Sequence, residues 1–154
     1  MIVRAIADSL KDAPEEVFRV GHTRASVLHI SKDKEYVVYA VSLFKGLLYY
    51  QIVDDTGIIS WRLYCVFTVV DRALPPDWEC NVFPGSVRLV MGPAFICESE
   101  AAYSAMVELE PDQVERFWQR VNGATVEAIV PPSSGGRDAA DEQKSHDAAS
   151  GSEH

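Results

Sequence analysis

The chain has 154 residues, 47% of them hydrophobic and 24% charged, which suits one domain able to bury its own core. Its 14 Lys+Arg stand against 23 Asp+Glu, a formal net charge of −9. That balance argues against nucleic acid and against an anionic membrane surface, both of which need clustered cations, and it favours a protein partner with a basic surface.

Ile2-Val3-Arg4-Ala5-Ile6-Ala7 alternates weakly and reads as a strand. Asp12-Ala13-Pro14-Glu15-Glu16 opens a short helix, with a capping-type Asp, a Pro near the first turn and two acids after it; Gly21 closes it. Glu35 to Val41 is β-branched and aromatic, Phe44-Lys45-Gly46 is a turn, and Leu47 to Val53 is a strand with two apolar faces, hence an interior one. Asp54-Asp55-Thr56-Gly57 is the next turn, and Trp61 to Val70 reads as one long strand. Its Trp61, Leu63, Cys65, Phe67 and Val69 share the face expected to meet the core.

Pro75-Pro76 removes two donors, so Asp71 to Trp78 leaves the sheet. Ser86 to Met91 is a fourth strand, stopped by Gly92-Pro93. Glu98-Ser99-Glu100 starts a helix to about Leu109, and Pro111-Asp112 starts another. Val114, Phe117, Trp118 and Val121 form one apolar stripe on the second, and Asn122-Gly123 ends it. Strands first and helices last, with short antiparallel connections, give an α+β domain over residues 1–130. The expected architecture is a small, strongly bent antiparallel sheet, an SH3-like half-barrel, with C-terminal helices.

Residues 131–154 are expected to be a disordered acidic tail. After Pro131-Pro132 the chain holds Ser, Gly, Ala and charge, and no large apolar side chain to offset ordering entropy. Cys65, Cys80 and Cys97 form no C-x-x-C pair and read as free thiols of a reducing compartment. With no secretory leader in Met1 to Leu10 and no long apolar run, the expected location is the cytoplasm.

The stretch from Tyr36 to Trp78 carries Y-V-V-Y-A (Tyr36 to Ala40), Y-x-I-x-D-D (Tyr50 to Asp55) and F-x-V-V-D-x-x-L-P-x-x-W (Phe67 to Trp78). With Ile2 to Leu10 it resembles a group of small bacterial proteins, some of which look like immunity proteins that neutralise toxins. The resemblance implies a shared fold and, by extension, action by occlusion. It transfers no catalytic residue.

Candidate chemistry is sparse. Asp55-Thr56-Gly57 matches the D-T-G of aspartic proteases, yet it occurs once, and Asp and Gly between two strands make a turn without further function. His22 and His29 match no zinc spacing, and neither a nucleophile elbow nor a glycine-rich phosphate loop is present, so no cofactor or metal is expected. The reading these observations favour is a non-enzymatic protein-binding module. Its expected contact residues are Asp54 and Asp55, with both carboxylates at a hairpin tip, beside the rings of Tyr49 and Tyr64. Two alternatives stand beside it: a small enzyme assembled from scattered groups such as Asp54, Asp55, His29 and Cys97, and a structural subunit of a larger assembly.

Overall fold

A computed structural model describes residues 1–84 and 88–129. The expected tail and its boundary at Pro131-Pro132 lie outside the described residues, as does the start of the strand expected at Ser86. The elements run β1 (Ile2–Ala5), α1 (Glu15–Arg19), β2 (Glu35–Val37), β3 (Ala40–Phe44), β4 (Leu47–Val53), β5 (Ile59–Leu63) and β6 (Phe67–Asp71). They continue with β7 (Trp78–Phe83), β8 (Arg88–Pro93), α2 (Ala94–Cys97), α3 (Glu100–Val107) and α4 (Pro111–Ile129). All strand pairings are antiparallel, so the fold class is α+β.

The strands divide between two sheets where the sequence suggested one bent sheet. One has the order β2-β1-β6 and the other β5-β4-β3-β8-β7; neither closes on itself. The chain passes between them at three places, the last of them through Pro75-Pro76 between β6 and β7; the first two fall inside segments that the sequence suggested were single strands. Glu35 to Val41 is not one strand: Val38 N donates to Met1 O in the small sheet, and Tyr39 N donates to Gln51 O in the large one. Trp61 to Val70 is not one strand either. It breaks at a single 3-10 turn, Tyr64–Val66, after which Phe67 pairs with Ala5. Val69, expected in the core with Phe67, is exposed although both lie on β6, because the core covers only the start of that strand.

The turns between β3, β4 and β5 follow their residues. Lys45 and Gly46 both take positive φ, 51° and 78°, as a two-residue hairpin that matches strand twist requires. The β4–β5 turn uses Gly57 at φ 79°. β4 is an interior strand, as its two apolar faces suggested. β5 is an edge strand, paired only with β4.

Two cores result. The first holds Val3, Leu10, Val17, Tyr36, Tyr50, Ile52 and Phe67 and joins the two sheets and α1; the Phe67 ring meets Tyr36 and Tyr50 edge-on, each at 6.0 Å. The second lies between the large sheet and the helices. It holds Ala40, Ile59, Val90, Ile96, Tyr103, Met106 and Phe117. Ser99 caps α3 by accepting from Ala102 N at 3.0 Å. Leu109, at φ 56°, turns the chain from α3 into α4, which starts on Pro111. α4 does not stop at Asn122-Gly123. Gly123 is not among the positive-φ residues, and the helix runs to Ile129, because a helical Gly costs only about 1 kcal/mol against Ala. No helix among the described residues is long and apolar enough to cross a membrane.

Candidate functional site

Both carboxylates expected at the hairpin tip have partners within the protein; Asp54 is buried, whereas Asp55 is exposed. Asp54 closes β4 with its side chain only 3% exposed. Its Oδ1 accepts from Thr56 N (3.0 Å), Thr56 Oγ1 (2.6 Å) and Ile58 N (3.3 Å), and its Oδ2 accepts from Arg62 Nη2 (2.8 Å). Burial pushes the Asp54 pKa up, but the donors of Thr56 and Ile58 and the Arg62 charge outweigh it, and the net shift is downward. Asp55 accepts from Lys34 Nζ (2.6 Å) and Tyr36 Oη (2.9 Å) on Oδ1 and from Ser31 Oγ (2.7 Å) on Oδ2. The Lys34 bond first, then that of Ser31, hold its pKa at about 2. The D-T-G segment is therefore a self-satisfied turn.

Tyr49 and Tyr64 are not beside these acids. Tyr49 pairs with Leu63, and Tyr64 follows it, whereas Asp54 lies past the Val53–Ile59 pair at the other end of the hairpin. At ~3.3 Å per residue the two ends are roughly 13–16 Å apart. Tyr64 is half-buried against the first core, and Tyr49 Oη lies 3.1 Å from His22 Nε2.

The constellation considered for an enzyme does not come together. His29 O accepts from Asp55 N at the β4–β5 turn, but Cys97 lies on α2 against β7 and β8, at the far side of the large sheet. Burial pushes the Cys97 thiol up to about 11, so it stays protonated and unreactive at neutral pH. Among the described residues no group of three or more His, Cys, Asp or Glu is placed to hold a metal ion.

What the fold does assemble is a cleft of about 270 Å³ between the large sheet and α3. Phe44 (β3), Tyr49 (β4), Trp61 (β5) and Arg88 (β8) form its floor, and Tyr103, Ser104, Val107 and Glu108 form its wall. The Arg88 guanidinium stacks on two rings, 4.4 Å from the centroid of Phe44 and 4.4 Å from that of Tyr103. Arg88 Nε and Trp61 Nε1 are buried donors without acceptors among the described residues. Tyr103 Oη donates towards the buried Ser42 Oγ at 3.2 Å, which fixes its ring.

A shallower depression adjoins the cleft and shares Trp61 and Val107 with it. It lies along the outer side of β5, and three exposed apolar side chains rise around it: Ile58 (51% exposed), Val107 (46%) and Leu109 (38%). Glu108 and Glu110 flank Leu109, both exposed and without an ion-pair partner among the described residues. A wider groove of about 700 Å³ between β7 and α4 makes fewer demands, because its arginines are already paired, Arg116 with Glu98 and Arg120 with Asp77.

From the sequence, Tyr49 was expected in a site and Trp61 was among the rings that could form an exposed binding patch, but Phe44, Arg88, Tyr103 and Val107 were not named as members of one. The available signal was the surplus of aromatic residues over what one core face needs. No protein-family model, curated protein or solved structure matches the chain.

Proposed function

We propose that the protein is a non-enzymatic binding module that captures a protein partner with a basic surface through the patch on the outer side of β5. The observation that carries this reading is Ile58, Val107 and Leu109 exposed together around Trp61, next to a strand edge that has no partner among the described residues. Exposed apolar side chains grouped beside an open edge favour association, either side chain against side chain or by an added strand. Glu108 and Glu110 flank Leu109 with negative charge that has no ion-pair partner among the described residues, and the chain as a whole is at −9, which supports steering towards cations. The resemblance of Tyr36 to Trp78 to immunity-like bacterial proteins supports a toxin as the partner, neutralised by occlusion.

The test is to examine whether a toxin gene lies next to this one, to co-express any such toxin with the protein and score growth, and then to measure affinity on the purified pair. Ile58→Asp/Leu109→Asp should abolish rescue and weaken binding at least about tenfold, the range of interface hot spots. Both positions are exposed, and Asp tolerates the positive φ of Leu109, so the fold should survive. Rescue and affinity equal to those of the wild type would refute this surface. A toxin converted chemically rather than held would refute the binding reading.

A further inference from the structure

The cleft beside the docking patch carries a demand of its own. Arg88 brings a cation into it, and among the described residues no carboxylate pairs with that cation. Its Nε is shielded from water and has no hydrogen-bond partner among the described residues, while the residue as a whole is half-buried. Phe44 and Tyr103 clamp the guanidinium plane between their rings, so its position is set before anything binds. Trp61 adds a second N–H donor without an acceptor and a further aromatic surface. Phe44 and Trp61 are half-buried and turn apolar surface to the cleft, and a ligand with acceptor oxygens on an apolar body covers that surface while pairing the cation.

We infer that this cleft is a binding site for a small organic carboxylate with a flat apolar body, the carboxylate meeting the Nη groups of Arg88 and the body lying among Phe44, Tyr103 and Trp61. Arg presents a planar fork that matches a carboxylate in two parallel bonds. A bare inorganic anion satisfies the charge but leaves the rings uncovered. A cationic ligand meets Arg88 with like charge, and Glu108 on the exposed rim is too open to reverse that preference. The volume, about 270 Å³, suits a one- or two-ring molecule rather than a polymer. The two sites share Trp61 and Val107, but the inferences fail separately: this one is tested at Arg88, which the docking patch lacks, and the docking reading at Ile58 and Leu109, which the cleft lacks.

The experiment titrates the full chain with benzoate, 2-naphthoate, benzamide, benzamidine and inorganic phosphate, followed by tryptophan fluorescence and calorimetry. 2-Naphthoate and benzoate should bind, and benzamide should bind about tenfold more weakly or worse, the value of a hydrogen bond to a charged group. Arg88→Lys should lose much of that discrimination and Arg88→Gln nearly all of it, with circular dichroism confirming the fold. Trp61→Phe keeps a ring and removes the N–H, and should weaken the carboxylates several-fold while leaving the weak benzamide signal in place. Equal binding of benzoate and benzamide overturns the inference, as does carboxylate binding that survives Arg88→Gln. Phosphate binding as tightly as 2-naphthoate marks a plain anion site and overturns it too. So does the absence of saturable binding by either carboxylate at millimolar concentration.

Discussion

Asp54→Asn isolates one interaction with unusual cleanness. The three donors on Oδ1 (Thr56 N, Thr56 Oγ1 and Ile58 N) can remain on the amide oxygen, while Oδ2, which accepts from Arg62 at 2.8 Å, becomes an NH2 that faces another donor. The side chains of the pair are 3% and 18% exposed, so water replaces little of what is lost. A hydrogen bond to a charged group contributes about 1.5–3 kcal/mol, and the mostly shielded Arg62 is left uncompensated, so the expected loss is about 2–3 kcal/mol. That corresponds to a fall in thermal midpoint of roughly 8–12 °C for a domain of this size. Asp54→Ala also removes the turn bonds and should cost about 3–5 kcal/mol. Urea unfolding measures both, and the double variant Asp54→Asn/Arg62→Met should recover about 1–2 kcal/mol against the sum of the single changes. A loss below about 0.5 kcal/mol for Asp54→Asn, the range of surface substitutions, would refute a structural role for the pair.

Acid should expose the same network. Asp54 and Asp55 both titrate below the ordinary 3.8 in the folded protein, Asp55 at about 2, so their stabilisation is complete above the unfolded value and is lost as pH falls from about 4 towards 2. Unfolding followed from pH 6 to pH 2 should therefore show an acid limb that flattens in Asp55→Asn; a limb of unchanged steepness would contradict the network. On the helical side, Phe117 is 1% exposed and packs edge-on against Tyr39 and Trp118, so Phe117→Ala should cost about 3–5 kcal/mol. Trp118 is only half-buried, and Trp118→Ala should cost about 1–2 kcal/mol; the reverse order would mean that α4 is seated differently.

Local chemistry made parts of the fold legible. Lys45-Gly46 and Asp54 to Gly57 are turn residues with a mechanism, and the strand between them is uniformly apolar, so Leu47 to Val53 was readable to the residue. The sheet changes were not readable. Val38-Tyr39 and Tyr64-Cys65-Val66 carry no Gly or Pro, and their backbone bonds change partner without changing residue type. β7 was missed because its edge position lets Glu79 and Cys80 face solvent, which erases the alternation a half-buried strand needs. The surplus of rings has a structural explanation in part. Two cores divide most of them, with Tyr36 and Tyr50 in one and Tyr103 and Phe117 in the other, while Phe44, Tyr49 and Trp61 line the cleft together with Tyr103.

The same turn that withdraws the two acids also builds the proposed docking edge. Asp54 Oδ1 holds Thr56 N and Ile58 N, Asp54 N donates to Ile58 O, and Gly57 supplies the positive φ, so Ile58 is presented outward from a closed loop. Arg62, one residue past Trp61, is drawn back to the turn by Oδ2 of the same Asp54. β5 is therefore an edge whose start and middle are both tied down, and a preordered edge loses little entropy when a partner seats on it. Pairing Asp54 with Arg62 also removes the one cation that lies among these apolar groups, which leaves Glu108 and Glu110 to set the sign of the rim. Acidity read from composition and acidity at the patch thus have different sources. The sequence pointed to Asp54 and Asp55, but Asp54 is buried and paired with Arg62 and the exposed Asp55 is paired with Lys34, so the acids at this patch without an ion-pair partner among the described residues are those at the exposed end of α3.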